Sequence, residues 1–152
     1  MSMPFGLIFS IFLIVVFIVV AFIAVKYFLN TGKCADVGLF YSNLAKQVDD
    51  IWRGSGADTS FKISLPAGIT KVCFANMSNP ITNNLDGSRI KGFDPDSNIF
   101  LLPKSETCNM GKNNIPHLDI SKITKDRNPY CVSAKGSILI KKDVYDRLVS
   151  LS

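Results

Sequence analysis

Residues 1–30, MSMPFGLIFSIFLIVVFIVVAFIAVKYFLN, decide how the rest of the chain is arranged. From Met3 to Val25 there is no charged side chain, and Ser10 is the only polar one. A helix from Pro4 to Leu29 would span roughly 39 Å, more than the ~30 Å hydrocarbon core of a bilayer. The stretch therefore predicts a transmembrane anchor helix over 1–30, with membrane lipid as its surroundings.

The flanks of this stretch favour an anchor that is retained. Large apolar side chains occupy every face, so the helix has no polar stripe for a soluble core or an interfacial position. Lys26 and Tyr27 stand where the headgroups begin, and Asn30 and Gly32 are helix-stop residues. A cleaved secretory signal fits poorly, because there is no basic n-region, the apolar run is about twice the usual length and no Ala-x-Ala-like site follows it.

A second helical pattern follows at 31–53. Apolar side chains recur at helical spacing on one side, with polar ones opposite; they are Val37, Phe40, Tyr41, Leu44, Val48, Ile51 and Trp52. Only Thr31, Gly32 and Lys33 separate this segment from the anchor. We therefore predict one long helix with a bend at Gly32, whose amphipathic second part covers a sheet.

From residue 54 to the C-terminus the pattern is that of an antiparallel β domain. Alternation predicts a hairpin of 61–65 and 69–75 around a Pro66–Gly68 turn. The polar stretch 76–97 predicts a long surface loop around a weak 88–90 strand. Further strands are predicted at 98–102, 115–123, 130–134, 137–142 and 148–151. The predicted class is α+β, organised as 1–30, 31–53 and 54–152.

Four cysteines, all after the anchor, are the disulfide candidates: Cys34, Cys73, Cys108 and Cys131. No two lie at CxxC spacing, and with a single histidine a zinc site fits poorly. The even count favours two disulfides in an oxidising compartment, with three connectivities open. Four buried free thiols in a reducing compartment are the alternative.

The signals for the side of the membrane conflict. Lys26 and Lys33 follow the anchor and nothing basic precedes it, which by the positive-inside rule keeps the domain in the cytoplasm. The cysteines favour the outside, as does the sequon Asn76-Met77-Ser78, a candidate glycosylation site at Asn76. We expect a single-pass protein with its C-terminal domain outside, because two lysines are a weak topogenic signal.

The residue spacings do not match those that catalytic, calcium-binding or phosphate-binding motifs require. His117, Asp119 and Ser121 would lie about 7 Å apart along one strand face, too far apart for a triad. The 94–98 stretch starts like a calcium loop but has Ile99 in place of the glycine, so an Asx-type turn is the better interpretation. Gly111-Lys112 lacks the rest of a phosphate loop. We predict a non-enzymatic protein with no catalytic residues, cofactor or metal.

Charge gives little support for nucleic acid as a partner. The net charge is +5, and the basic residues are spread singly, with Lys141-Lys142 the one doublet after the anchor. A stripe that could follow a phosphate backbone is not present in the sequence. We predict no nucleic-acid binding.

The order of elements resembles type IV pilins and archaeal pilin-like subunits. The resemblance implies that the apolar half-helix anchors a precursor and then packs in a filament core, with the β domain outside. Pro4–Ser10 aligns with a prepilin leader, with Gly6 before the cut, although no basic residue precedes Gly6 and Ile11 stands in place of the usual glutamate. The opening is also similar to small uncharacterised single-pass archaeal membrane proteins.

These observations lead to one principal hypothesis and two alternatives. The principal one is a membrane-anchored surface protein that self-associates through its N-terminal helix, most concretely a pilin-like filament subunit. The first alternative is a monomeric anchored binding module that holds a glycan, peptide or partner protein through the 76–97 loop. An enzyme of unfamiliar type comes last.

Overall fold

The computed structural model describes residues 5–54, 57–82 and 84–152. The chain divides into two compact units between Cys34 and Ala35. In chain order the elements are α1 (Phe5–Arg53), β1 (Ala57–Lys62), β2 (Lys71–Phe74), α2 (Leu85–Ile90), β3 (Ile99–Leu102), a 3₁₀ turn (Lys104–Glu106), β4 (Lys112–Asn113), α3 (Ile120–Ile123), β5 (Tyr130–Ser133), β6 (Ser137–Lys142) and β7 (Ser150–Leu151). The class is α+β, as the sequence predicts.

Helix α1 joins the two helical patterns of the sequence without an interruption at Thr31, Gly32 or Lys33. The bend expected at Gly32 stays a prediction. Among the described residues α1 is the one helix that is long and apolar enough, by length and composition, to cross a membrane.

The part of α1 in the second unit packs by one stripe. Its buried side chains are Val37, Phe40, Tyr41, Leu44, Val48 and Ile51, three or four residues apart, which confirms the amphipathic pattern. Phe40 contacts Phe61 of β1, with ring centroids 6.0 Å apart. The stripe belongs to a hydrophobic core shared with β1, β2, β3 and β6.

The described strands form two antiparallel sheets. The first has the order β1-β6-β7 and the second the order β4-β3-β2-β5. The predicted hairpin between 61–65 and 69–75 is wrong, because β1 pairs with β6 while β2 pairs with β3 and β5. The segment between β1 and β2 crosses from one sheet to the other instead, and it buries Ile63 and Ile69 in the shared core.

The two central strands of the four-stranded sheet, β2 and β3, are buried on both faces. Val72 and Phe74 of β2 face the main core, while Cys73, on the opposite face, lies in a second cluster with Phe100 and Leu102 of β3. This arrangement explains why β3 is apolar at every position rather than at alternate ones.

Segment 76–97, which the sequence predicts to be a surface loop, covers the second cluster. Ile90 is fully buried there, and Met77, Ile81 and Phe93 pack against the cluster. The weak strand expected at 88–90 is part of α2, whose first turn is capped by the Asn84 side chain through the Gly87 N–H. A Cβ on Gly87 would lie 2.1 Å from the Thr82 carbonyl oxygen, so this position requires glycine.

The strand predicted at 115–123 is also wrong. The chain turns at 116–117, makes one parallel bridge between Leu118 and Val149, and then forms α3. Asp119 caps α3 by accepting a hydrogen bond from the Lys122 N–H. The apolar and polar alternation of this segment therefore comes from a turn and a capped helical turn. The strands predicted at 98–102, 130–134, 137–142 and 148–151 are confirmed as β3, β5, β6 and β7.

Candidate functional site

The first unit exposes apolar side chains on all sides of its helix. Among its large apolar residues the exposed fraction runs from 38% at Leu13 to 78% at Phe28. The hydroxyl of Ser10 donates to the Gly6 carbonyl at 2.8 Å, and that of Thr31 to the Tyr27 carbonyl at 2.9 Å. Both side-chain hydroxyls therefore have a hydrogen-bond acceptor within their own helix.

All four cysteines are disulfide-bonded, which gives two disulfides. Cys73 of β2 and Cys131 of β5 lie directly opposite each other in the ladder, with their Cα atoms 4.0 Å apart, and they bond to each other. Cys34 and Cys108 are bonded as well. The alternative of four free thiols is therefore not the state of this structure.

The glycosylation candidate Asn76 lies two residues after the end of β2, where its side chain forms a turn. Its Oδ1 accepts a hydrogen bond from the Ser78 N–H at 3.0 Å. Its Nδ2, the atom that would carry a glycan, donates only a long, weak hydrogen bond of 3.4 Å to the Ser121 hydroxyl. The main-chain N–H and carbonyl of Asn76 make shorter hydrogen bonds within the fold, both to Asn128, than its side-chain Nδ2 makes.

Asn128 was not a candidate from the sequence. Its side chain forms hydrogen bonds with the main chain of residues 76–80. It is 8% exposed, and its Oδ1 accepts from the Asn76 N–H. Its Nδ2 donates to the carbonyls of Asn76 at 2.9 Å, Pro80 at 3.2 Å and Asn79 at 3.4 Å. The Asn-Pro dipeptide at 128–129 signals a turn but not these partners, because they lie about fifty residues earlier.

His117, Asp119 and Ser121 are not brought together. The His117 ring stacks on Trp52 with ring centroids 3.7 Å apart, and its Nε2 lies 3.9 Å from Asp49 Oδ1. Asp119 caps α3, and Ser121 accepts the weak Asn76 contact. These three side chains therefore serve three different contacts. Trp52, the last residue of the apolar stripe predicted at 31–53, is only partly buried.

The 94–98 stretch is an Asx-type turn, as expected. Asp94 Oδ1 accepts from the Asp96 N–H at 3.4 Å, and its Oδ2 pairs with Lys112 Nζ at 2.7 Å. The hydrogen bond from Lys112 and that from Asp96 lower the pKa of Asp94 below its usual value. Within the described residues, no group of three histidine, cysteine, aspartate or glutamate side chains could hold a metal ion.

A second exposed ion pair links Lys122 of α3 to Asp146, which lies between β6 and β7. Lys122 Nζ is 2.6 Å from Asp146 Oδ2. The hydrogen bond between them raises the pKa of Lys122 and lowers the pKa of Asp146. The pair therefore connects a helical turn to the segment between two strands.

No protein-family model, curated protein or solved structure matches this chain with significant similarity. The site residues are therefore interpreted from their own geometry.

Proposed function

We propose that this protein is a non-enzymatic, membrane-anchored surface protein whose N-terminal helix packs against other copies of itself, as in a pilin-like filament subunit. The observation that carries the proposal is the first part of α1, which is apolar and exposed on every side. The second part of the same helix supplies a stripe to the core of a disulfide-bonded β domain.

The physical argument starts from exposed area. Monomeric proteins rarely leave apolar patches larger than a few hundred Å² in contact with water. Large apolar side chains from Leu7 to Val25 are each at least 38% exposed. At about 25 cal/mol per Å² the free energy of leaving such a surface in water is large, so lipid, or equivalent helices from other copies, must cover it.

The disulfides support placement of the domain on the outer side of the membrane. Disulfides persist in oxidising compartments and are rare in the cytosol. Lys26 and Lys33 alone oppose this orientation, and Asp36 follows them closely. We therefore place the β domain outside.

The test for filament assembly is electron microscopy of material sheared from the surface of cells that produce the tagged full chain. We expect the chain in filaments, labelled along their length by antibody to the tag. Intact-mass analysis of the same material would report whether residues 1–6 are removed and whether two disulfides remain. A chain that is never found in filaments and is monomeric in mild detergent would overturn the filament proposal.

A matched pair of variants separates the role of the helix from that of the domain. Val16→Asp places a charge in the middle of the apolar surface, and we expect no filaments from it. Leu85→Asp changes a side chain that is 68% exposed at the start of α2, and its filaments should persist. Filaments that form equally well from both variants would count against packing through the helix.

The alternative, a binding module that works through 76–97, has less support. Ile81, Ile90 and Phe93 cover the sheet in this segment, so its deletion would expose the second cluster. We expect such a deletion to lower the melting temperature, which a dispensable binding loop would not do.

A further inference from the structure

The outer edge of β1 carries main-chain groups that no strand among the described residues pairs with. β1 is the first strand of its sheet, with β6 as its neighbour. Leu139 of β6 exchanges both main-chain hydrogen bonds with Ser152, so its peptide groups point away from β1. Alternate residues of β6 therefore bond to Thr59 and Phe61 of β1.

The remaining β1 residues must then point their N–H and C=O groups outward. These residues are Asp58, Ser60 and Lys62, and their side chains are all exposed. Phe61, between them, is 7% exposed and faces the core. The free edge is thus a short strand with an acidic residue at one end and a basic residue at the other.

We propose that the β1 edges of two copies pair antiparallel about Ser60, which joins their three-stranded sheets into one. In this register Ser60 faces its own equivalent, and Asp58 of each copy faces Lys62 of the other. The register that matches the charges is also the one that matches the free N–H and C=O groups, giving about six hydrogen bonds from three pairs.

The neighbouring strand supports the same register. Asp58 lies opposite Lys141 within its own chain. In the joined sheet the carboxylate would stand between Lys141 and the second copy's Lys62, with no acidic residue across from it. Opposite charges in directly facing positions stabilise a sheet, and like charges destabilise it.

The pairing goes beyond membrane anchoring and does not require filaments. A short strand edge binds weakly between free molecules, whereas anchored copies in one membrane meet at a high effective concentration. The charge pattern Asp58–Ser60–Lys62, which is complementary to itself in this register, makes a second copy of this chain the occupant of the edge.

The first test is cross-linking of the full chain in phosphatidylcholine vesicles with a short thiol-reactive reagent. In Ser60→Cys the Cα atoms of the two cysteines would lie about 5.5 Å apart, so their thiols are within reach of a short reagent. Ser137→Cys, at an exposed position of β6, is the control, because its equivalent would lie about 20 Å away, three strand spacings across the joined sheet and four residues along it. We expect cross-linked dimer from Ser60→Cys at several times the level from Ser137→Cys.

The second test reverses the charges in the Ser60→Cys background. Lys62→Asp and Asp58→Lys each set like charges against each other twice, and each should lower the dimer yield roughly tenfold. A mixture of the two variants should restore it, because their edges are complementary. Lys125→Asp makes the same charge change at an exposed position off the strand and should have no effect.

Circular dichroism checks that each variant is folded, which is expected because the altered side chains are exposed. Equal cross-linking at residues 60 and 137, or a yield that charge reversal does not lower, would overturn the proposal. It would then follow that Asp58 and Lys62 protect the edge from pairing. Sedimentation of the chain with the vesicles reports anchoring separately, so the two proposals fail independently.

Discussion

The two parts of α1 are both rich in apolar side chains, yet only one of them has a buried stripe. In residues 6–34 the large apolar side chains are exposed all round, whereas residues 35–53 contain a stripe of buried apolar side chains three or four positions apart. A helical repeat of apolar residues therefore indicates a helix with one face against a core and the opposite face in water. The absence of a period in the first part indicates that no face of it is made for water.

The largest expected effect comes from charging the first part. Val16→Asp with Val20→Asp would raise the free energy of membrane insertion by about 5–7 kcal/mol, since each aspartate costs about 2.5–3.5 kcal/mol at the centre of a span. After alkaline extraction we expect this variant in the supernatant and the parent chain in the membrane pellet. Leu39→Asp, in the second part at a position that is 58% exposed, should stay in the pellet.

A matched pair of truncations tests the same difference by stability. Leu44→Ala removes a fully buried side chain and should lower the free energy of unfolding of the domain by about 3 kcal/mol. Leu13→Ala makes the same change in the first part and should alter it by less than about 0.5 kcal/mol. Urea unfolding of the full chain in detergent measures both, and equal losses would mean that the two parts are not distinct.

The second unit also differs from the first part of α1 in that a polar side chain, Asn128, contributes to its stability. Asn128→Ala would leave the Asn76 N–H and the carbonyls of Asn76 and Pro80 without their partner, at a cost of about 2 kcal/mol. Faster amide hydrogen exchange at 76–82 should accompany the loss. Asn79→Ala, at an exposed position in the same segment, is the control. Unchanged exchange in Asn128→Ala would contradict this role.

The smallest effect expected is on pH dependence. Because the pKa values of Asp94 and Asp146 are lowered in the folded state, their contribution to stability is present above the usual value of 3.8 and is lost as the pH falls below it. The raised pKa of Lys122 gives a contribution that is present below 10.5 and is lost as the pH rises through the folded value.

The midpoint of unfolding should therefore be flat between about pH 5 and 9 and fall slightly at both ends. Asp146→Asn should reduce the slope at both ends, since it removes the partner of Lys122. An unaltered slope in that variant would show that other groups determine the profile.

Local elements could be predicted from the sequence because their signals are local. The stripe from Val37 to Ile51 and the strand at Ser137–Lys142 depend only on the spacing of neighbouring side chains. Sheet order could not be predicted in the same way. Phe61 pairs with Ile138, 77 positions away, and a turn at Pro66–Gly68 favours the wrong partner.

The candidate sites show the same limit. The cysteines and Asn76 were identified as candidates from the sequence, but the bond between Cys73 and Cys131 follows from the register of β2 and β5, which no local pattern determines. Segment 76–97 has the composition of a surface loop because polar residues dominate it, yet it contains α2 and covers the second cluster. The few apolar ones, among them Ile81, Ile90 and Phe93, are those that cover the sheet.

The Cys73–Cys131 bond also governs how the domain would respond to a pulling force. If tension acts between α1 and β7, the covalent path passes from residue 73 directly to residue 131 and bypasses the chain between them. With a sequence separation of 58, this bond alone removes roughly 190 Å from the contour length that can be extended. The four-stranded sheet would thus yield by only a short extension, even if all of its hydrogen bonds were broken.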